Sequence, residues 1–366
     1  MTIASVHISH LRNILSAQIE CSSQFNLFYG DNGAGKTSIL EAIYYLGTGK
    51  SFRTHHHDRV IQQNENQLTL FAQLSNDAPA AIGLQRLRDG SVKIRINEED
   101  IRSVAAISHY LPVQFIGSDS HRILSDGPKC RREFLDWGLF HTNPHFFVQW
   151  KLFQKLLVQR NAALKARAPQ DELIIWNREF AVAGEALNSL RQAYVDDFLP
   201  VFNEIIAILL ENIPISIDYL QGWNQSLSLE ACLNQYVSRE TMVGHSLYGP
   251  QRADLALAVN KLPAQDGLSQ GQQKLVSYAL RLAQGIHLQT SVGKTPVYLI
   301  DDLPSELDPQ KRALVVEILT KLNAQVFITG IESCDFDDIL ALGRENRMFH
   351  VEHGGVKECV REECFT

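Results

Sequence analysis

Apolar residues recur with period two at the start of the chain. Ser5-Val6-His7-Ile8 and Ser16-Ala17-Gln18-Ile19-Glu20 alternate as half-buried strands do. Phe25-Asn26-Leu27-Phe28-Tyr29 is more apolar and suits a strand covered on both faces. A glycine-rich loop follows, then a helical segment from Ile39 to Leu46 that Gly47-Thr48-Gly49 should stop. Residues 68–97 read as antiparallel strands, with Ile82 to Leu87 and Val92 to Ile96 flanking the hairpin signal Asp89-Gly90. Val113-Gln114-Phe115-Ile116 predicts another buried strand. From about 129 to 211 the spacing becomes three to four, through Phe147, Trp150, Phe153, Leu156, Leu157, Arg160 and Leu164. Leu173 to Leu210 continues it for nearly 40 residues, long for one globular helix, and Pro169 and Pro200 punctuate the block. The expectation is two or more packed helices. Residues 213–260 are mixed. Beyond Leu268 the pattern predicts a helix over about 270–289, a strand at Val297-Tyr298-Leu299-Ile300, a helix over about 310–322 and a strand at Gln325-Val326-Phe327-Ile328. The order predicts an α/β architecture in two parts. Residues 1–125 and 245–366 form one discontinuous domain with an antiparallel β subdomain, and 126–244 form an inserted, mainly helical one.

Composition changes this picture little. Of 366 residues, 45% are hydrophobic and 20% charged, which supports a globular core and excludes wholesale disorder. No run approaches the length of a membrane-spanning helix, and Met1-Thr2-Ile3-Ala4-Ser5 lacks the basic and apolar regions of a secretion signal. Six cysteines without a CxxC pair predict reduced thiols and a cytoplasmic protein with no membrane partner. The net charge of −7 argues against a generic DNA-coating protein. Its distribution is uneven: residues 121–168 hold nine Lys and Arg against three Asp and Glu, and 331–366 hold nine acidic against four basic groups. The basic block reads either as a polyanion-binding face or as a solvated helix face. His55-His56-His57 lack ligand spacing and read as a polar loop.

Gly30-Asp31-Asn32-Gly33-Ala34-Gly35-Lys36-Thr37 fits GxxxxGK[ST] fully, between an apolar strand and a helix. Wrapping a phosphate needs inward-turned backbone N–H groups, and glycine permits the close approach and unusual φ this requires. Lys36 would reach the β- and γ-phosphates, Thr37 would ligate Mg²⁺, and the helix N-terminus favours the anion. Val297-Tyr298-Leu299-Ile300-Asp301-Asp302 is an apolar strand ending in acid, at the carboxyl edge where nucleotide sites form. Asp301 would hold Mg²⁺ and Asp302 would orient the attacking water. Leu268-Ser269-Gln270-Gly271-Gln272-Gln273-Lys274 and Ser305-Glu306-Leu307-Asp308-Pro309 also read as ordinary helix starts, Ser269 suiting an N-cap.

Together the four motifs resemble ABC-type P-loop ATPase heads. Ser269-Gln270-Gly271-Gln272 is similar to that superfamily's signature and Ser305-Glu306-Leu307-Asp308 to its D-loop. Leu11-Arg12-Asn13 resembles the arginine motif of the SMC and RecF heads. Ser38 with Leu40-Glu41-Ala42-Ile43, Gly127-Pro128-Lys129, Arg131-Arg132-Glu133-Phe134-Leu135-Asp136 and Gln159-Arg160-Asn161-Ala162-Ala163-Leu164 resemble the RecF family of bacterial recombination mediators. Gln251-Arg252-Ala253-Asp254 departs from the usual HRDD, and Thr329-Gly330 stand where many ABC ATPases carry a histidine.

The resemblance implies an ATPase head with an inserted helical arm. ATP and Mg²⁺ would meet Arg12, Asn13, Gly30, Asp31, Asn32, Gly33, Ala34, Gly35, Lys36, Thr37 and Ser38, with Thr37, Gln114 and Asp301 toward the metal. Gln114 would be the Q-loop residue; the alternative is a surface glutamine. Lys36, Asp301, Asp302 and Ser269 would carry catalysis, and Gln270, Gly271, Gln272 and Asp308 would meet nucleotide across an ATP-dependent homodimer. Aspartate at 302 and the missing histidine imply slow, DNA-stimulated hydrolysis used as a switch. Lys129, Arg131, Arg132, Lys151, Lys155, Arg160, Lys165 and Arg167 form a candidate face for single-stranded, gapped or junction DNA; the rival is that Arg131 and Arg132 make buried ion pairs. The implied role is to load RecA with RecO and RecR in repair, fork recovery and SOS induction. The alternative class is the nucleotide-binding subunit of a membrane transporter.

Overall fold

The computed structural model describes residues 2–75, 80–211, 213–342 and 344–359. The chain divides into two compact units, residues 1–120 with 278–366, and residues 121–277. In this division 245–277 goes with the second unit, whereas the sequence analysis grouped it with the head. None of the described helices is long and apolar enough to cross a membrane.

The first unit holds two six-stranded sheets. In one, Asn346–Glu352, Phe25–Tyr29, Val326–Thr329, Val297–Ile300 and Val113–Ile116 run parallel in that order, and Gly355–Cys359 adds an antiparallel edge. Val297–Ile300 and Val326–Thr329 are buried at every position, which is why they read as continuous apolar runs. The other sheet is antiparallel, ordered Ile14–Glu20, Thr2–Leu11, Gln67–Ser75, Ala80–Leu87, Val92–Ile96 and Glu99–Ile101. Its alternation puts Ile8, Leu70, Ile82 and Ile94 into the core.

The helix Lys36–Thr48 packs Ile39, Leu40, Ile43 and Leu46 into that same core. Burying each of these side chains stabilises the fold by about 1.5–3 kcal/mol. Of the three residues expected to stop the helix, the first two still belong to it and the third ends it. Gly47 is there for room rather than for a stop: a Cβ would lie 2.6 Å from the Val113 side chain and 2.9 Å from the Leu111 carbonyl oxygen. The stop is Gly49, left-handed at φ 68°, whose N–H donates to the Tyr45 carbonyl.

The second unit carries the helices Pro128–Thr142, Phe146–Lys165, Gln170–Leu209 and Leu229–Val243. A three-stranded antiparallel sheet joins them: Leu262–Pro263, Asp254–Val259 and Ile215–Leu220. Gln170–Leu209 is one helix of 40 residues, so Pro200 does not divide it. Pro200 faces solvent, as does Asp196, whose carbonyl the proline leaves without its helical donor and water can satisfy. Phe198, Phe202 and Ile205 keep the helix buried on its other side. The helix Gln270–Val292 begins in this unit and ends in the first.

Candidate functional site

The loop after Phe25–Tyr29 turns back on itself through Gly30, Gly33 and Gly35, with φ of 142°, 84° and 122°. Those values are open to glycine and strained for other residues. Gly30 is also fixed by a neighbour: a Cβ there would sit 2.2 Å from the Val351 carbonyl oxygen. Lys36 opens the helix and curls back, its Nζ donating to the Gly30 and Asp31 carbonyls. Burial pulls the ammonium below the ordinary lysine value, against the opposing pull of Asp302, Asp301 and Asp31. Asn13 braces the loop from outside, donating to the Ala34 carbonyl at 3.0 Å and accepting from the Ser38 hydroxyl at 3.1 Å.

The parallel sheet delivers the acids. Val297–Ile300 ends in Asp301, whose carboxylate accepts from the Thr37 hydroxyl at 3.0 Å and from the Thr329 hydroxyl at 2.7 Å. Thr37 and Asp301 are 264 residues apart in the chain. Asp302 adopts a left-handed φ of 55°; its N–H donates to Thr329 Oγ1 at 2.8 Å and its carboxylate accepts from Ser305 at 2.8 Å. A cavity of about 570 Å³ opens over these groups, with Lys36, Thr37, Asp301 and Asp302 in its wall. Arg12, Asn13, Asn32, Gly33, Gly35 and Ser38 line it too. The donor set fits the groups the motifs imply. Lys36 in the wall of a glycine-rich loop suits a polyanion, and a threonine hydroxyl beside a carboxylate is an all-oxygen pair of the kind hard Mg²⁺ takes.

Burial raises the Asp301 carboxyl above the ordinary range; the Thr329 and Thr37 hydrogen bonds oppose the shift and Asp302 adds to it. A carboxyl raised in this sense binds its proton more tightly folded than unfolded. Its contribution to stability is therefore complete at low pH and is lost as pH rises through the folded value. The Asp301 contribution is expected to fall over that window, so Asp301→Asn should gain stability relative to the parent as pH rises while weakening Mg²⁺-dependent nucleotide binding. Urea unfolding of variant and parent across about pH 3.5–6.5 reads the first effect; a stability difference that does not change with pH would count against the burial argument.

Arg12 lines the cavity, but its guanidinium is committed: Nε and Nη2 donate to Glu41 at 2.9 and 2.7 Å, and Nη1 to the Arg59 carbonyl at 2.7 Å. Glu41 is fully buried and also meets Ser51 and, at 3.7 Å, Arg53. Gln114 is neither at a strand end nor on the surface. It is buried within Val113–Ile116, its amide donates to Gln284 at 2.8 Å, its carbonyl accepts from Arg281 at 3.0 Å, and it does not line the cavity. Ser118, just past that strand, does. Asp308 is an N-cap, accepting from the Gln310 and Lys311 N–H groups at 3.0 Å, and it too lies outside the cavity wall. Arg53, Ser118, Glu306 and Thr329 are wall residues to which the sequence analysis gave no role. Glu306 and Thr329 had a signal, the first inside the D-loop-like segment and the second at the position where many ABC ATPases carry a histidine.

In the second unit, Ser269 and Gln272 form a reciprocal cap. The Ser269 N–H donates to Gln272 Oε1 at 2.9 Å, and the Gln272 N–H to Ser269 Oγ at 3.3 Å. Ser269, Gln270 and Gly271 are exposed, and a Cβ at Gly271 would meet nothing within 4 Å. The basic set divides. Arg131 pairs with Asp254 through two hydrogen bonds of 2.7 and 2.9 Å, Arg132 donates to the Ala253 carbonyl at 2.7 Å, and Arg160 is fully buried against Glu240. These three are withdrawn from any surface for a polyanion. Lys129, Lys151, Lys155, Lys165 and Arg167 are exposed.

The chain was compared with known families and structures. The RecF/RecN/SMC N-terminal domain family matches residues 2–354. A DNA replication and repair protein RecF of Shewanella frigidimarina is 42% identical over 97% of this chain and 98% of its own length. That of Coxiella burnetii is 44% identical over the same shares. Among solved structures, a recombination mediator protein RecF with ATP, of the RecFOR pathway, superposes with TM-score 0.87 at 24% identity over 98% of both chains. An SMC head bound to the C-terminal winged-helix domain of ScpA gives TM-score 0.61 at 14% identity, over 98% of this chain and 97% of that one. Both likenesses concern the fold, an ABC-type ATPase head. This chain belongs to the RecF family, within the wider RecF/RecN/SMC group.

Proposed function

We propose that this chain is a DNA replication and repair protein that binds ATP·Mg²⁺ in the cavity around Lys36 and uses it to close two copies on DNA. The observation that carries the reading is the meeting of Thr37 and Asp301 beneath the glycine loop, which supports an ATPase site rather than an isolated phosphate loop. Lys36, now turned onto two loop carbonyls, would exchange them for phosphate oxygens. Thr37 and Asp301 would hold Mg²⁺, which when bound would neutralise charge developing on the phosphates. Asp302, steadied by Ser305 and Thr329, would orient a water. Glu306 adds a further acid to the wall.

The exposed Ser269 cap would serve a second copy. Its oxygen accepts from the Gln272 N–H and the residue is exposed, so a helix N-terminus and one hydroxyl would be offered to an anion. Loss of the γ-phosphate on slow hydrolysis would remove that anion and open the pair. The DNA contacts would come from the exposed cations, Lys129, Lys165 and Arg167 foremost, and would be largely sequence-independent. A RecF-named relative is placed in the RecFOR pathway, so RecO and RecR are the proposed partners and RecA the protein loaded, in the cytoplasm, during gap repair, fork recovery and SOS induction.

Sedimentation of the protein with a labelled gapped duplex tests this. With ATP·Mg²⁺ a complex of two chains per duplex is expected, and without it none. Ser269→Arg should still bind ATP, since the residue is exposed, and should fail to form that complex. A protein that binds ATP yet stays monomeric and off DNA overturns the clamp.

A further inference from the structure

The helix Phe146–Lys165 carries no acidic residue along its 20 positions. Its buried side is ordinary: Phe146, Phe153, Leu156, Arg160, Ala163 and Leu164 face inward. Its outer side is not. Val148 is 71% exposed, Leu152 46% and Val158 68%, with exposed Lys151, Lys155 and Lys165 between and beyond them. At 3.6 residues per turn these six fall within an arc of about 140°. A solvated helix face normally mixes both charge signs and keeps branched aliphatics inside. Here aliphatic and cationic side chains alternate with nothing to neutralise them on the helix. Lys151 lies with its ammonium 4.1 Å from the Phe147 ring centre, so one cation is already held flat on the surface. The stripe continues at its Lys165 end, where a Cβ at Gly244 would lie 3.8 Å from the Lys165 Cα and the neighbouring Met242 is 78% exposed.

We infer that this face docks an acidic amphipathic helix of a partner protein. Charge complementarity selects the occupant: three lysines without a carboxylate on the helix call for an anion. Aliphatic side chains interleaved with the lysines call for one that brings apolar residues at helical spacing. Nucleic acid answers the first demand only, because phosphates leave Val148, Leu152 and Val158 in water. A membrane surface answers poorly, because the lysines sit among the aliphatics instead of on an opposite face. The inference uses none of the residues around the nucleotide cavity and moves Lys151 and Lys155 from a DNA face to a protein face; Lys165, at the end of the stripe, is shared with the proposed DNA contacts and is left unchanged in the test.

The test uses the full chain and a fluorescein-labelled helical peptide of about 18 residues, with leucines at i, i+4 and i+7 and glutamates between them. Anisotropy should report binding that falls at least about tenfold in Val148→Ser/Leu152→Ser/Val158→Ser and likewise in Lys151→Ser/Lys155→Ser. It should fall equally for a peptide with serine in place of leucine. All five positions are exposed, so the variants keep the fold, which circular dichroism checks. Sedimentation with the gapped duplex and ATP·Mg²⁺ should be unchanged in the aliphatic variant, which separates failure of this inference from failure of the clamp. Unaltered peptide binding in the aliphatic variant overturns the proposal. So does tighter binding of phosphatidylglycerol vesicles than of peptide, or loss of duplex binding in that variant.

Discussion

Lys36→Ala should lose nucleotide binding by on the order of a hundredfold or more while leaving the protein folded. The ammonium makes its hydrogen bonds to the Gly30 and Asp31 carbonyls, both part of the loop it serves, so its removal leaves no carboxylate stranded in the core. In the bound state it would be the one lysine of the cavity wall set against a polyphosphate. Truncating one partner of a desolvated, hydrogen-bonded charge pair costs about 2–5 kcal/mol, and each 1.4 kcal/mol or so is tenfold in affinity. Calorimetric titration with ATP·Mg²⁺ measures the loss, and a urea transition within about 1 kcal/mol of the parent establishes that the fold survives. An affinity within about threefold of the parent would remove the phosphate loop from the site.

The second large effect lies in the other unit. Glu240→Ala should destabilise the protein by about 3–5 kcal/mol. Arg160 and Glu240 are fully buried partners. Arg160 also donates to Asn177 at 2.8 Å and to Ser246 at 2.6 Å, and Glu240 accepts from the Leu247 N–H at 2.7 Å. Alanine strands a guanidinium away from water and frees a backbone donor as well. The penalty comes from the orphaned charge more than from the lost attraction, so Arg160→Met with Glu240→Leu should recover much of the loss. Urea unfolding followed by tryptophan emission measures both. A single variant costing under about 1 kcal/mol would mean that water reaches the pair.

What could be read from the chain alone follows from how local each feature is. The glycine loop is legible because eight consecutive residues carry its chemistry, and Asp301-Asp302 because an apolar strand ending in acid has one natural place in a parallel sheet. Arg12 was legible as a neighbour of the site but not as a residue tied to Glu41, since nothing in the pattern around Glu41 signals a buried carboxylate. The same limit hid Arg160, whose partner lies 80 residues away, and made it look like part of a basic surface. Arg131 was left open between a DNA face and an ion pair, because the partner that decides it, Asp254, lies 123 residues on. Gln114 was assigned toward the metal although its strand was read correctly, because nothing in the local pattern shows that its amide is engaged by Gln284 and Arg281, 170 and 167 residues on. Pro200 failed as a stop because the face it occupies is wet, a matter of tertiary burial that the proline itself does not encode.

The glycine loop also has a history within the life of each molecule. Gly30 donates to the Ile331 carbonyl at 3.0 Å, Gly354 donates to the Ala34 carbonyl at 2.8 Å, and Thr37 waits for Asp301. Every one of these partners leaves the ribosome some 260–320 residues after the loop does. At about 5–20 residues per second the delay is on the order of 15–60 s. During that interval the most recognisable segment of the chain is a glycine-rich tether without a socket. A growing polypeptide therefore lacks the contacts that brace this loop until its last strands are in place, and under the proposed function a chain cut short before Asp301 would be without a completed nucleotide site.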